Sequence, residues 1–305
     1  MKPRILVIKL GALGDFILAM GPFRAIRDHH AAAHITLLTT PPYAELGRAC
    51  GYFDEVLPIG RPAARDLFGL WRLFRALRAG RYDRVYDLQT STRSSLYRRF
   101  IPGAEWSGIA RGCSHPHANP NRSFLHTLDR QAEQLAMAGI DAVPPPDLSW
   151  SQADISPFNL QESRYALLVP GGSAHRQEKR WPVAHYATLA VWLMERGVRP
   201  LILGSGDEQA LAEIIEAQCP EALSLVDRTN FQEIIALARH ARLAIGNDTG
   251  PMHLIAVCRR PCLVLFSGAS IPSLCAPRGE NVTILQRDSL ASLSVNEVTS
   301  RTDIQ

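Results

Sequence analysis

The chain has 305 residues, 46% of them hydrophobic and 20% charged, an ordinary globular composition whose length accommodates two domains. No apolar run is long enough to span a bilayer, and the N-terminal run Ile5–Ile8, broken by Lys9 and lacking a small-residue cleavage site, reads as a first strand rather than a signal peptide. The net charge of +4 is uneven, with 19 Lys plus Arg against 13 Asp plus Glu in residues 1–150 and 14 against 16 in residues 151–305.

The first half therefore attracts an anion, and the absence of aromatic-basic interleaving or a helix-turn-helix pattern argues against nucleic acid. Cys50, Cys113, Cys219, Cys258, Cys262 and Cys275 lack paired metal spacing and read as reduced thiols of a cytoplasmic protein. Lysine is scarce: Lys2, Lys9 and Lys179 are the only three among 33 basic residues.

In chain order, Ile5–Ile8 is predicted as a strand, followed by Gly11-Ala12-Leu13-Gly14-Asp15 and a helix over 16–28. Strands follow at 34–38 and 55–57. The helix over 67–78 carries Leu70, Trp71, Phe74 and Leu77 at helical spacing, which predicts a packed face with arginines toward solvent. The strand at 84–88 ends in Asp87-Leu88-Gln89. Strand and helix alternating at this spacing predict right-handed crossovers and a parallel sheet. The stretch from Pro144 to Pro157 is proline-rich without apolar periodicity and reads as an interdomain linker.

The second half repeats the scheme. A strand at 165–169 runs into Pro170-Gly171-Gly172-Ser173, a charged loop reaches Lys179-Arg180-Trp181-Pro182, and a helix covers 183–195. The next strand, 200–203, ends in a glycine loop before Glu208; further strands lie near 223–226, at 243–246 and at 262–266, with a helix over 231–239. A last amphipathic turn at 295–299 is expected to pack back across a domain surface. Two such domains place a ligand in the cleft between them.

The stretch Gly246-Asn247-Asp248-Thr249-Gly250-Pro251-Met252-His253 is the most informative. It closes a buried strand and opens a helix, with Asp248 or Thr249 as cap and Pro251 in the first turn. Glycines admit a close ligand, and the free amides of the first turn suit a phosphate. A carboxylate beside a diphosphate is repelled, so Asp248 fits sugar hydroxyls instead. Phosphate cradle, carboxylate and His253 together point to a nucleotide-sugar site; a plain capped helix with a helical histidine is the bland alternative.

The N-terminal Ile-Leu-Val-Ile-Lys-Leu-Gly-Ala-Leu-Gly-Asp, the Tyr86-Asp87-Leu88-Gln89 strand end, the Lys179-Arg180-Trp181-Pro182 block, the 246–253 block and Leu265-Phe266 occur in an order that resembles the ADP-heptose heptosyltransferases of glycosyltransferase family 9, essentially end to end. The resemblance implies an α/β GT-B architecture: two Rossmann-like doubly wound parallel-sheet domains facing a cleft, an acceptor domain over 1–150 and a nucleotide-sugar domain over 151–287, with a C-terminal helix over 288–305 packing back on the first. It implies an inverting transfer of heptose, without a metal or other cofactor, from ADP-heptose to an anionic lipid-linked acceptor such as the lipopolysaccharide core, by an enzyme peripheral to the cytoplasmic face of the inner membrane. Asp15 matches the family's base and Lys179 the lysine that holds the donor diphosphate.

Gly171, Ser173, Glu208, Asp248, Thr249, Gly250 and His253 match donor contacts, and Gly11, Gln89 and Arg93 fall where the acceptor is expected. A helix cap is the alternative for Asp15, a solvated loop charge for Lys179, and a solvated helix face for Arg93, Arg98 and Arg99. The chain departs from the family at Leu10, Gly11 and Ala12, where hydroxyl residues are common, and in the His- and Pro-rich stretch 112–121. Another nucleotide-sugar enzyme of this fold, an epimerase included, and a non-catalytic nucleotide-sugar binding protein stand as alternatives.

Overall fold

The computed structural model describes residues 2–160, 164–172 and 176–302. Its contacts divide the chain into two units, Met1–Trp150 and Ser151–Gln305, at a boundary inside the proline-rich stretch. The first unit contains β1 (Arg4–Ile8), β2 (His34–Leu38), β3 (Glu55–Leu57), β4 (Arg84–Asp87), β5 (Glu105–Gly108) and β6 (His115–Pro116). Its helices are α1 (Leu13–Leu18), α2 (Met20–His29), α3 (Ala44–Ala49), α4 (Leu67–Ala79), α5 (Thr92–Tyr97) and α6 (Thr127–Ala136). The six strands form one parallel sheet in the order β3-β2-β1-β4-β5-β6.

The second unit holds β7 (Tyr165–Val169), β8 (Arg199–Ile202), β9 (Leu223–Ser224), β10 (Leu243–Asn247), β11 (Cys262–Phe266) and β12 (Val282–Gln286), ordered β12-β11-β10-β7-β8-β9. Its helices are α7 (Val183–Met194), α8 (Gln209–Gln218), α9 (Phe231–His240), α10 (Gly250–Val257), α11 (Pro272–Cys275) and α12 (Val295–Thr299). Counted from each unit's first strand the two orders are the same, the doubly wound order in which the sheet direction switches between the first and fourth strands. The ends of β1 and β4, and of β7 and β10, are therefore the switch points where such sheets bind ligands.

Sequence explains the central strands directly. Every residue of Tyr-Ala-Leu-Leu-Val in β7 and Cys-Leu-Val-Leu-Phe in β11 is buried, as covering a parallel sheet on both faces requires. Register then sets the switch points: Ile8 pairs with Asp87 across β1 and β4, and Gly246 with Val169 across β10 and β7. Gly246 serves packing rather than ligand approach, since a Cβ there would lie 2.5 Å from Met252 Sδ and 2.7 Å from Val169 Cβ.

Three expectations change. The helix over 16–28 is two, α1 and α2, separated at Ala19. In α4 the packed positions are Leu73 and Leu77, while Trp71 and Phe74 are exposed beside the arginines. Expected against the first unit, the C-terminal segment contributes Leu290, Leu293 and Val298 to the second unit's core around Trp181, whose Nε1 donates to Leu293 O at 2.9 Å. Strands β5, β6 and β12 and helix α6 add to the elements expected from the sequence.

Candidate active site

At the switch point of the first unit, β1 runs into a loop that Gln89 fixes. Leu10 N donates to Gln89 Oε1 at 2.7 Å, and Thr40 Oγ1 donates to Leu10 O at 3.1 Å. Gly11 has φ +116° and a Cβ there would lie 2.5 Å from the Tyr43 ring, so only glycine fits. Helix α1 starts from Ala12, and Asp15 falls in its first turn without acting as its cap. Among the described residues the Asp15 carboxylate makes no hydrogen bond or ion pair, which leaves it open to a ligand's proton.

Two buried charges stand behind it. Lys9 donates Nζ to Leu88 O at 3.2 Å; burial lowers its pKa, and Asp15 and Asp87 work against that shift. Asp87 Oδ1 accepts from Gln89 N at 3.1 Å and Thr90 N at 3.0 Å, and burial pushes the carboxyl up to about 6 against the pull of these amides and of Lys9.

Arg93 and Arg98 are not free cations. Arg93 NH1 donates to Pro62 O at 2.7 Å, and Arg98 NH2 donates to Gly112 O at 2.6 Å. Both tether loops, which replaces the solvated helix face for these two.

In the second unit, the ends of β7 and β10 are joined by Asn247, a fully buried side chain whose Nδ2 donates to Pro170 O at 2.8 Å and Gly171 O at 3.0 Å. Its Oδ1 accepts from Trp181 N at 3.0 Å and Tyr186 Oη at 3.1 Å, so one amide positions the block that carries Lys179. Lys179 Nζ lies 2.8 Å from Asp248 Oδ2, with the side chains 15% and 9% exposed, and Ser270 Oγ donates to the same oxygen at 2.7 Å. Asp248 Oδ1 has no hydrogen bond among the described residues. The pair removes the bare negative charge that sequence alone assigns to this place.

Thr249 is the N-cap residue of α10 by position, yet its side chain does not cap, and its Oγ1 is buried with no hydrogen-bond partner among the described residues. Gly250 and Pro251 form the first turn, whose amides carry the positive end of the helix dipole. A cavity of about 460 Å³ opens here, lined among others by Gly171, Gly172, Glu208, Asp248, Thr249 and Gly250. The α10 amides, the Thr249 hydroxyl and the Lys179 ammonium paired with Asp248 are donors suited to phosphate oxygens, and Asp248 Oδ1 is an acceptor suited to a hydroxyl.

Glu208 is committed elsewhere. Its Oε2 accepts from Ser205 N at 2.7 Å and Ser205 Oγ at 2.8 Å, and its Oε1 faces Gly172 N at 3.4 Å. It holds the loops after β7 and β8 together, and a Cβ on Gly171 would lie 2.5 Å from its carboxyl, so Gly171 is required by this contact. His253 is buried within α10. Ser173 lies outside the described residues.

The structure thus gathers Gly171, Lys179, Glu208, Asp248, Thr249 and Gly250 at one switch point and Gly11, Asp15 and Gln89 at the other. Sequence reasoning overlooked Lys9 and Asp87, for which lysine scarcity and the Asp87-Leu88-Gln89 strand end were the available signals. Asn247 stood unremarked inside the 246–253 block, and nothing in the local sequence marks Ser270. Among the described residues no three His, Cys, Asp or Glu side chains are grouped to hold a metal.

Comparison with known proteins gives the family and the fold. The family model of glycosyltransferase family 9 (heptosyltransferase) matches residues 70–303. Lipooligosaccharide heptosyltransferase 2 of Haemophilus influenzae is 32% identical over 92% of this chain and 88% of its own length. Lipopolysaccharide heptosyltransferase 2 of Escherichia coli is 25% identical over 93% of this chain and 88% of its own length. In fold, the structure of the E. coli ADP-heptose lps heptosyltransferase II superposes with a TM-score of 0.81 at 22% identity, covering 99% of this chain and 97% of that one. A match over most of the chain, from α4 to the C-terminal helix, places the protein among the glycosyltransferases: the chain belongs to glycosyltransferase family 9, the heptosyltransferases.

Proposed function

We propose that the protein transfers heptose from ADP-heptose to an anionic sugar acceptor of the lipopolysaccharide core, with inversion and without a metal ion. The observation that carries this reading is the Lys179–Asp248 pair, whose Asp248 lines the cavity beside the α10 N-terminus. Diphosphate oxygens are matched by the α10 amides, the Thr249 hydroxyl and Lys179, and a heptose hydroxyl by Asp248 Oδ1. Names of the similar heptosyltransferases of Haemophilus and Escherichia support lipopolysaccharide or lipooligosaccharide as the acceptor class.

In the reaction an acceptor hydroxyl gives its proton to the Asp15 carboxylate while its oxygen attacks the anomeric carbon. The bond from that carbon to the β-phosphate oxygen breaks with its electron pair on the leaving ADP. Lys179 and the helix amides meet the charge that grows there, so they bind the transition state more tightly than the ground state. Asp15 suits the base because its carboxylate is unpartnered and is not needed as a cap.

Turnover of ADP-heptose with a delipidated core acceptor in excess EDTA tests the reading. Wild type should turn over, and Asp15→Asn, which neither loses a cap nor changes volume, should stay folded while kcat falls by about 10² or more. A folded variant at near wild-type rate removes Asp15 from the role of base; wild-type loss in EDTA that magnesium restores removes the metal-free mechanism.

A further inference from the structure

Four large apolar side chains on α4 are exposed within two turns: Leu67 at 77%, Phe68 at 66%, Trp71 at 49% and Phe74 at 38%. At 100° per residue they share an arc of about 160° with Arg72, Arg75 and Arg78, opposite the buried Leu73 and Leu77. Apolar and cationic groups interleave along this face, which corrects the expectation that aromatic and basic residues do not interleave in this chain. Phe68 stacks on Trp71 with centroids 5.9 Å apart, and the Arg75 guanidinium lies 4.6 Å from the Trp71 ring centroid. Between residues 61 and 81 there are six arginines and a single acid, Asp66. Among the described residues Arg72, Arg75 and Arg78 make no ion pair. A groove of about 1160 Å³ continues the face past Phe74, Arg75, Arg78 and Arg81, with Asp83 and the Arg84-paired Glu105 also in its lining.

This is not how a protein interface is built, where an apolar centre is ringed by a polar rim. Aromatic side chains that settle at headgroup depth, mixed with guanidiniums whose stems lie along apolar surface and whose ends reach lipid phosphates, fit an anionic bilayer surface. The 13 residues of α4 are too few to cross a bilayer, so the helix lies in the interface plane.

We propose that the exposed face of α4 docks the protein on an anionic lipid bilayer, the groove beside it taking phosphate headgroups. The family resemblance implies a peripheral membrane enzyme but no docking surface; the inference goes beyond it, and beyond the transferase reading, by assigning that surface to α4. Its test is flotation of the intact protein with vesicles of phosphatidylglycerol and phosphatidylcholine, or of phosphatidylcholine alone. Wild type should float with the anionic vesicles and not the neutral ones, less so as salt rises.

The surface variant F68S/W71S should need at least about 10-fold more anionic lipid for half-maximal binding, and R72Q/R75Q/R78Q about 100-fold more. Both keep Leu73 and Leu77, and their thermal melts check folding. No flotation with anionic vesicles overturns the proposal, as does flotation that neither variant weakens. Sedimentation that shows a wild-type dimer abolished by F68S/W71S also overturns it, assigning the face to a second copy. Turnover of the delipidated acceptor separates the two readings: wild type that turns over without binding vesicles sinks only the membrane proposal, wild type that binds vesicles without turning over sinks only the transferase reading, and variants that lose vesicle binding but keep turnover are the expected result.

Discussion

Asp248 and Lys179 neutralise each other at 2.8 Å, so each is available to the donor only in part. In Asp248→Ala the acceptor for a sugar hydroxyl disappears, while Lys179 loses its partner and becomes free for phosphate. ADP-heptose should therefore bind more weakly, by roughly the 1.5–3 kcal/mol of a charge-assisted hydrogen bond, and ADP alone as tightly or more tightly. Calorimetric titration with both ligands decides this, and equal losses for the two would assign Asp248 to the turn rather than the sugar.

Asp87 supplies a pH signature. Its folded-state pKa, raised to about 6 by burial, exceeds its ordinary value, so the folded state binds the proton more tightly than the unfolded one. The stability this contributes is full below the ordinary carboxyl value of 3.8 and is lost as pH rises from there through about 6, on the order of 3 kcal/mol in all. Asp87→Asn keeps the oxygen that accepts from Gln89 N and Thr90 N but cannot ionise. Urea melts at pH 4 and pH 7 should show the variant gaining on wild type at the higher pH; a constant difference would deny the shift.

At the scale of elements, the helix that opens after β10 was legible and the use of its cap was not. Strand, turn and Pro251 place the start of α10 from sequence, but a Thr in the cap position ordinarily spends its hydroxyl on the helix, and Thr249 does not. Thr249→Val should accordingly cost less than the ~1 kcal/mol of a lost cap, yet weaken ADP by about 10-fold. A stability loss near the full cap value with unchanged ADP affinity would return Thr249 to the helix.

Helix α4 shows the opposite limit of sequence. Its apolar residues fall at 67, 68, 70, 71, 73, 74, 76 and 77, which supports two overlapping stripes, so periodicity established a helix but not which stripe faces the sheet. Packing against the sheet chose Leu73 and Leu77. Gln89 and Glu208 are named from sequence but not for their loop contacts, for a related reason: residue type announces hydrogen-bonding capacity, whereas only the folded loops reveal that backbone amides of Leu10, Ser205 and Gly172 engage it.

For the molecule as a whole, repetition of one doubly wound plan in both units makes the charge division informative. Both units offer a switch point, but residues 1–150 carry an excess of six basic residues and residues 151–305 an excess of two acidic ones. If the donor is held by the second unit, the ammonium that would face it is already paired, so its affinity should rest on hydrogen bonds and helix amides in a lined cavity, which mobile ions screen weakly. If the acceptor is held by the first unit, its attraction comes from a distributed positive field that salt does screen. Raising ionic strength from a low-salt buffer to about 0.5 M, where the screening length falls to roughly 4 Å, should increase the KM for an anionic, delipidated acceptor several-fold and change that for ADP-heptose by less than about 2-fold. Steady-state kinetics with each substrate varied in turn measures both, and a parallel rise in the two KM values would refute this division of labour between the units.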